Sequence, residues 1–325
     1  MIIDGHAHLV PPSLLDAIRQ QADAFPSLQL VTDGGGVGFS FSGRKPTRPV
    51  SRPLTDVAAR LTWMDGQGID RQVVGGWLDM FGYELPPDEG MLWSRLYNEH
   101  LIAIAAAHPR FIPLATVPLQ DGERAARALR EAYAAGFAGA MIGTQPRGVG
   151  GVLDDPALDP FWHAADELGA VLFIHPVFES GDDRLHDYGM ANAVGRITDT
   201  LIAVSRIIYS GHVLRYRNAK VIIGIGGAAL PYVLGRLRRN YELDRARLAD
   251  PDASLSALYY DTLLHDARSL RFLADQVGVG RIIMGSDMPF PIGDLAPGRV
   301  VELSGFAENE SRSVKGELAQ KLFSR

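Results

Sequence analysis

Two histidines separated by one residue, His6 and His8, close the first apolar run of the sequence, Met1–His8. On a β-strand, residues i and i+2 point to the same side, so both imidazoles would face one space. Two converging neutral imidazoles are a natural beginning for a Zn²⁺ or Fe²⁺ site. An isolated His-X-His pair is also compatible with surface histidines, so this interpretation needs further ligands.

Two more candidate ligands lie at the ends of later apolar runs. His175 ends the run Ala170–His175, and Asp287 directly follows the run Arg281–Ser286. Each has an ordinary alternative, a buried structural histidine and a turn or helix-capping aspartate. All four residues, however, lie where a predicted strand ends. Three imidazoles and one carboxylate could therefore converge on one ion, with a position left for water or substrate.

The elements that would position these ligands alternate along the chain. Short continuous apolar runs are typical of parallel strands buried on both faces. We predict strands at Met1–His8, Gln72–Gly76, Phe111–Val117, Ala138–Ile142, Ala170–His175, Lys220–Gly226, Ala257–Tyr260 and Arg281–Ser286. Helical spacing predicts helices at Gly122–Ala135, Thr198–Ser210, Pro231–Leu248, Asp266–Val277 and, as a last unit, Asn309–Phe323. About eight strand–helix units predict an α/β fold, a distorted (β/α)8 TIM barrel with its active site at the carboxyl ends of the strands.

One segment interrupts the alternation. Leu28–Val50 is rich in glycine and serine and contains the alternating run Gly38–Ser42, which predicts a small β insertion after the first strand. We find neither an internal repeat nor an interdomain linker. The sequence therefore predicts a single barrel domain over residues 1–325, with the insertion at about 28–50.

The composition excludes several kinds of site. The 325 residues include no cysteine, which rules out disulfides, thiolate zinc sites and cysteine nucleophiles. A net charge of −6 and the absence of a long basic run argue against nucleic-acid binding. We find no secretory signal pattern and no apolar run long enough to cross a membrane. We therefore expect a cytoplasmic protein without a membrane or nucleic-acid partner.

Short motifs spread over nearly the whole chain match, in order and spacing, those of a known family. They are Asp4-Gly5-His6-Ala7-His8, Arg48-Pro49-Val50, Met80-Phe81-Gly82-Tyr83, Val117-Pro118-Leu119-Gln120-Asp121, His175-Pro176, Ser210-Gly211, Gly226-Gly227, Gly235-Arg236 and Gly285-Ser286-Asp287-Met288-Pro289-Phe290-Pro291. On these motifs the chain resembles the amidohydrolase superfamily. The branch it resembles contains α-amino-β-carboxymuconate-ε-semialdehyde decarboxylase and related aromatic-acid decarboxylases.

The resemblance implies one divalent metal, usually zinc, held by the four ligand candidates, and a small carboxylated substrate. It implies that Arg48 binds a substrate carboxylate, a task for which the planar guanidinium is suited. It also implies that Arg236 reaches the site of a neighbouring subunit, and hence a homodimer. Phe81 and Tyr83 would line the substrate pocket.

The chain departs from the family at two positions. The sixth strand of the family ends in Gly-His-Gly-Gly, and the histidine is the acid/base that acts on metal-bound water. Here Ile225 occupies that place in Gly224-Ile225-Gly226-Gly227. Asp244 falls where the semialdehyde decarboxylase has a further carboxylate-binding arginine. General acid–base help is worth roughly 10²–10⁴-fold in rate, and isoleucine cannot supply it.

Three interpretations stay open. We predict the first, a metal-dependent decarboxylase or related hydrolase that cleaves a carbon–carbon bond with zinc. In it Arg48 and Asp287 are the catalytic residues, and the proton carrier is Asp287 or a group in the loop after His175, namely Glu179, Asp182, His186 or Asp187. The second is a non-heme iron monooxygenase, with one iron or, if that loop supplies ligands, two. The third is an inactive metal-binding homologue or an engineered variant.

Overall fold

The computed structural model describes residues 1–33, 36–146, 148, 150–177 and 182–324. The strands in this part of the chain are β1 (Ile3–His8), β2 (Leu28–Asp33), β3 (Gly36–Phe41), β4 (Arg71–Gly75), β5 (Phe111–Pro113), β6 (Gly139–Gly143), β7 (Val171–His175), β8 (Lys220–Ile223), β9 (Tyr259–Asp261) and β10 (Ile282–Ile283). All of them except β2 and β3 pair in parallel, in the orders β1-β4-β5 and β10-β9-β8-β7-β6.

The two parallel sheets join into a closed barrel at two seams. A parallel bridge between Ala115 and Ala140 connects the chain after β5 to β6. A second bridge, between Ala7 and Met288, connects β1 to the chain after β10. The predicted (β/α)8 barrel is therefore confirmed. Its strands are buried on both faces, as the continuous apolar runs predicted.

The helices lie between the strands, as in other barrels of this type. They are α1 (Pro12–Gln20), α2 (Arg52–Thr55), α3 (Val57–Gly66), α4 (Pro87–Ala107), α5 (Gly122–Ala135), α6 (Asp159–Leu168), α7 (Arg196–Tyr209), α8 (His212–Arg215), α9 (Leu230–Leu243), α10 (Pro251–Leu255), α11 (Ala267–Val277), α12 (Pro297–Leu303), α13 (Glu308–Arg312) and α14 (Leu318–Phe323). Helix α5 is capped at both ends. The Asp121 carboxylate accepts a hydrogen bond from Arg124 N–H, and Gly136 adopts the left-handed conformation, φ 117°.

The predicted β insertion is an antiparallel hairpin of β2 and β3. Leu28 pairs with Phe41 at one end of the hairpin, and Asp33 pairs with Gly36 at the other. The chain after it runs back along β3, where Thr47 N–H donates to the Phe39 carbonyl. Phe39 packs edge-on against Trp93 of α4, with ring centroids 5.9 Å apart. The hairpin is thereby fixed to the barrel wall, and it carries residues 44–48 to the barrel mouth. Gly34 and Gly35 lie outside the described residues.

Several predicted boundaries are wrong. The strands predicted to run to Val117 and to Ser286 end at Pro113 and Ile283. The strand predicted to run to Gly226 ends at Ile223, because the following residues turn sharply into Ile225–Gly227. The helix predicted over Pro231–Leu248 ends at Leu243. Within the described residues, no helix combines the length and the apolar character needed to cross a membrane.

Candidate metal centre

The four predicted ligands lie together at the carboxyl end of the barrel. His6 and His8 lie on β1, His175 ends β7 and Asp287 follows β10. All four side chains are buried, with at most 3% of each residue exposed. One nitrogen of each histidine and one oxygen of Asp287 lie within 4.8 Å of one another. The structure thus brings these four residues into one group that could hold a metal ion.

Each of the three imidazoles is oriented by a hydrogen bond at Nδ1. The bonds are from His6 to Asp261 Oδ2 at 2.7 Å, from His8 to the Gly76 carbonyl oxygen at 2.9 Å and from His175 to the Pro176 carbonyl oxygen at 2.8 Å. A carbonyl or carboxylate oxygen accepts, so the Nδ1 atom of each ring carries the proton. The Nε2 lone pairs are then directed at a common point, as is usual for histidines that bind a metal.

The atoms that meet at this point are all acceptors. Asp287 Oδ1 lies 3.5 Å from His6 Nε2, 3.0 Å from His8 Nε2 and 3.8 Å from His175 Nε2. Asp287 Oδ1 and the Nε2 atoms of His6 and His8 are buried and find no hydrogen-bond partner in the part of the chain that the structure describes. Buried polar atoms are rarely left unsatisfied. A divalent cation would satisfy all of them, and three imidazoles with one carboxylate are donors that such ions take.

The pKa values in the cluster reflect burial and mutual contact. Burial lowers the pKa of His175 to about 3. Burial also acts most strongly on Asp287, where it would raise the pKa, but contact with His175 and His8 holds this pKa well below its usual range. The pKa of His6 is raised, because contacts with Asp261 and Asp287 together outweigh its burial. A metal at this point would therefore bind a carboxylate and compete with a proton on His6.

Asp261, which ends β9, positions both the centre and the neighbouring turn. Its Oδ2 accepts from His6 Nδ1 at 2.7 Å and from Ile225 N–H at 3.2 Å. Its Oδ1 accepts from Gly226 N–H at 2.6 Å and from Leu263 N–H at 3.2 Å. The sequence-based predictions missed this residue, because the predicted strand ended one position earlier. An acid at the end of a barrel strand is the signal that could have found it.

We expect Asp261→Asn to lower metal affinity about 10–100-fold, which is the usual effect of losing a carboxylate behind a metal-binding histidine. The asparagine amide oxygen carries no full negative charge, so its hydrogen bond from His6 Nδ1 is weaker. The imidazole ring is then held less firmly in its orientation. Competition with a chromogenic chelator measures this affinity. Asp266→Asn is the matched control, since Asp266 caps α11 through Ser269 and asparagine caps equally well. Unchanged affinity in Asp261→Asn would contradict the assignment.

A second buried carboxylate holds the strands together beneath the ligands. Asp4 Oδ2 accepts from Gln72 Nε2 at 2.7 Å and from Ser286 Oγ at 2.5 Å. Arg60 extends this network, because its Nη1 donates to Gln72 Oε1 and its Nη2 to the His8 carbonyl, both at 2.9 Å. Burial raises the pKa of Asp4, although the hydrogen bonds from Ser286 and Gln72 act to lower it. The network fixes β1 against β4 and against the segment after β10.

The close approach of the strands also requires Gly285. A Cβ atom at this position would lie 2.8 Å from the His6 Cβ and 3.2 Å from the Asp261 Cβ. Both distances are shorter than ordinary carbon–carbon contacts. A larger residue would therefore displace His6, a candidate ligand, and the carboxylate that orients it.

Ile225 lies in the sharp turn after β8, half-buried next to the centre. Its φ of +53° is left-handed, a region that β-branched residues rarely adopt and in which asparagine and histidine are enriched. Backbone strain of this kind costs about 1–3 kcal/mol. The hydrogen bonds from Ile225 and Gly226 N–H to Asp261 hold the turn in place. The backbone thus has a conformation that suits the family's histidine better than isoleucine.

A cavity of about 870 Å³ lies at the barrel mouth, and three residues expected in the substrate pocket line it: Arg48, Phe81 and Tyr83. The two aromatic rings stack with centroids 5.5 Å apart, and Tyr83 Oη accepts from Gly143 N–H at 3.0 Å. Arg48 forms a two-pronged ion pair with Asp79, with Nε–Oδ2 at 2.9 Å and Nη2–Oδ1 at 3.1 Å. The Arg48 guanidinium, which was expected to bind a substrate carboxylate, is therefore already paired with the Asp79 carboxylate.

Arg236 and Asp244 lie away from the four ligands. Arg236 is exposed on α9, and Asp244 follows that helix and pairs with Arg247. The substrate role of Arg236 would need a second copy of the chain, so it stays a prediction, as does the homodimer.

The loop after His175 contributes no described residue to the four-residue group. Asp182 and His186 line the cavity, whereas Asp187 is exposed and is absent from the cavity wall. Hydrogen bonds from Arg184 lower the pKa of Asp182 to about 2, which makes Asp182 a poor proton donor at neutral pH. Glu179 lies outside the described residues, and its proposed role stays a prediction.

Two buried charged residues of α7, Arg196 and Asp199, were also missed, since one charged residue in a helical pattern carries no signal of its site. Arg196 is 5% exposed and interacts electrostatically with the carboxylates of Asp287 and Asp79. Asp199 is 7% exposed, and its carboxylate accepts from Thr144 Oγ1 and from Gln145 Nε2. Burial raises the pKa of Asp199.

The chain is similar to decarboxylases in sequence and in fold. It is 30% identical over 277 residues to 2-amino-3-carboxymuconate-6-semialdehyde decarboxylase of Dictyostelium discoideum, covering 83% of this chain and 77% of the relative. The structure of 5-carboxyvanillate decarboxylase from Sphingomonas paucimobilis superposes with a TM-score of 0.82 at 23% identity, over 99% of this chain and 98% of the other.

A second solved structure adds information about a ligand. The 5-carboxyvanillate decarboxylase of Novosphingobium aromaticivorans, complexed with manganese and 4-hydroxy-3-methoxy-5-nitrobenzoic acid, superposes with a TM-score of 0.81 at 22% identity, over 99% of this chain and 96% of the other. A family model described as Amidohydrolase matches residues 3–324. The resemblance read from the short motifs is confirmed, and the chain belongs to the amidohydrolase family.

Proposed function

We propose that the protein is a metal-dependent decarboxylase that acts on a small carboxylated, aromatic or related conjugated substrate. The observation that carries the proposal is the set of buried polar atoms of His6, His8 and Asp287 that face one another and find no hydrogen-bond partner among the described residues. The decarboxylase names of the relatives support the reaction class. Zinc is our first candidate for the ion, because its preferred donors match the three imidazoles and the carboxylate.

In decarboxylation the bond between the substrate carbon and its carboxylate breaks, CO2 leaves and the carbon takes up a proton. The bound ion would supply positive charge that stabilises the electron pair left on the substrate. Phe81 and Tyr83 would position a flat substrate in the cavity and exclude water from part of it. Asp287 is our candidate for the proton carrier, because its carboxylate lies within the cluster and Ile225 cannot replace the family's histidine. Since its pKa is held low, Asp287 would pass a proton on to the substrate carbon rather than hold one at rest.

The proposal is tested by metal analysis combined with release of labelled CO2. Protein purified without added metal should contain about one divalent ion per chain. A panel of carboxyl-¹³C aromatic acids and a carboxymuconate semialdehyde should include a substrate from which ¹³CO2 is released. Dialysis against a chelator should abolish the release, and zinc should restore it. Stoichiometric iron with O2 consumption and no ¹³CO2 would favour the monooxygenase instead, for which the names of the relatives offer no support.

A further inference from the structure

The chain after β3 fixes the backbone of Arg48 at the barrel mouth. On either side of it, Thr47 N–H and Val50 N–H each donate to a carbonyl of β3 at 2.8 Å. Arg48 therefore lies between two residues that are hydrogen-bonded to β3. Its guanidinium extends over the indole of Trp77, with Cζ 5.3 Å from the ring centroid. Both the backbone and the indole thus hold this side chain at the cavity wall.

Asp79, four residues after the end of β4, holds the same guanidinium from the barrel side. Its carboxylate accepts two hydrogen bonds from Arg48, from Nε at 2.9 Å and from Nη2 at 3.1 Å. The Asp79 side chain is only 9% exposed, whereas that of Arg48 is 46% exposed. Two-pronged pairs of arginine and carboxylate are among the stronger ion pairs. The two residues therefore form one neutral unit of the cavity wall.

The Asp79 carboxylate is the least exposed charged group on the cavity wall, as far as the described residues show it. Exposed residues with charges of both signs also line the cavity: Arg44, Lys45, Glu84 and Asp183. Water and salt screen such exposed charges, so each contributes little to binding. The pair of Arg48 and Asp79 should therefore decide how the wall responds to a charged group of a substrate.

A substrate held at the metal by the carboxylate that leaves would extend from the strand ends into this cavity. Its wall includes residues that follow β4, β6 and β7, namely Asp79, Gln145 and Val177. A second carboxylate on the substrate would have to displace Asp79 in order to pair with Arg48. Displacement would leave the Asp79 carboxylate poorly solvated and next to another anion, which is costly.

We propose that Asp79 restricts the protein to substrates with a single carboxylate, because it neutralises the arginine that would bind a second one. The inference rests on the proposed function for the kind of substrate and narrows that kind. It differs from the family resemblance, which implies that Arg48 binds a substrate carboxylate. If Asp79 only oriented Arg48 for that task, loss of Asp79 would weaken the binding of a dicarboxylate. Our inference requires the opposite change.

The test compares the binding of two probes to the zinc-loaded protein by titration calorimetry. The probe 5-carboxysalicylate carries two carboxylates, whereas 5-carbamoylsalicylate has nearly the same shape and carries one. We expect the wild type to bind the carbamoyl probe at least as tightly as the dicarboxylate. Asp79→Asn should strengthen binding of the dicarboxylate about 10-fold, as expected for one charge-assisted pair, and change binding of the carbamoyl probe less than about twofold.

Two further variants show whether the gain depends on Arg48. Asp183→Asn is the matched control, since it removes the same charge from an exposed position on the same wall, and it should change either affinity less than about twofold. The double variant of Asp79→Asn and Arg48→Gln should lose the gain in dicarboxylate affinity, because the cation is absent.

Unchanged or weaker binding of the dicarboxylate in Asp79→Asn would overturn the inference. An equal gain for both probes, a gain that persists in the double variant, or a wild type that prefers the dicarboxylate would do so as well. If Asp79→Asn does not fold, Asp79→Ser decides, and the same gain is required of it.

Binding needs no turnover, so this inference and the proposed function can fail separately. A wild type that shows the expected affinities but releases no CO2 from any acid contradicts only the proposed function. A wild type that releases CO2, while Asp79→Asn leaves the affinities for both probes unchanged, contradicts only the inference.

Discussion

Replacement of Asp287 by alanine should remove the metal and the activity together. Four-ligand zinc sites bind with about 10–16 kcal/mol, so one ligand contributes on the order of 3 kcal/mol. Each 1.4 kcal/mol corresponds to a factor of ten. We therefore expect the affinity for zinc to fall about 10²–10³-fold and the release of CO2 to fall by at least as much. Elemental analysis after dialysis against a weak chelator measures the first effect, and labelled-substrate assays measure the second.

Thermal unfolding separates loss of the metal from loss of the fold. An ion that binds only the native state raises its stability by mass action. Added zinc should raise the unfolding midpoint of the wild type and of Asp275→Ala, a control in which a surface aspartate paired with Arg271 is lost. It should raise the midpoint of Asp287→Ala by a smaller amount, because zinc binds this variant about 10²–10³-fold more weakly. A zinc-dependent shift of normal size in Asp287→Ala would exclude Asp287 from the ligand set.

Replacement of Ile225 by histidine should increase both stability and rate. The left-handed φ of +53° strains isoleucine, and relief of that strain should increase the free energy of unfolding by about 1 kcal/mol. A histidine at this position also returns an acid/base group to the centre, an effect worth roughly 10²-fold or more. Chemical denaturation measures the stability. Decarboxylation of a carboxymuconate semialdehyde measures the rate.

Ile225→Asn is the matched control, because asparagine tolerates the left-handed backbone but transfers no proton. It should gain stability as the histidine variant does, without the increase in rate. The protein could decarboxylate a different acid while the histidine variant is no faster than the asparagine variant. Proton transfer in this protein would then no longer pass through position 225. That result would favour Asp287 as the proton carrier.

The cluster of four candidate ligands could be predicted from the sequence because its signal is local. His6 and His8 are spaced for one side of a strand, and His175 and Asp287 each follow an apolar run that can only be a buried strand. Parallel strands in a barrel end at the same rim, so four local signals predict one meeting point. The prediction that these four residues lie together needed no signal from the helices.

The residues that control these ligands could not be predicted in the same way. Asp261 acts through a carboxylate that reaches His6 across 255 positions of the chain, and the buried Arg196 and Asp199 lie on a helix. Their roles depend on how α7 and the turn after β8 pack, which no short motif encodes. The pairing of Arg48 with Asp79 depends likewise on where the β2–β3 hairpin lies against the barrel. The boundary errors at Gly226 and Leu248 arose because turns end these elements earlier than apolar spacing indicates.

The seam between β1 and the chain after β10 would give a bound metal a second effect. The first and last strands of the barrel meet there through the bridge between Ala7 and Met288, while β10 itself contains two residues. His6 and His8 lie on one side of this seam, and Asp287 lies on the other. An ion bound between them would connect the two ends of the barrel. Opening of the seam would break the coordination sphere, so metal affinity and barrel closure are thermodynamically linked.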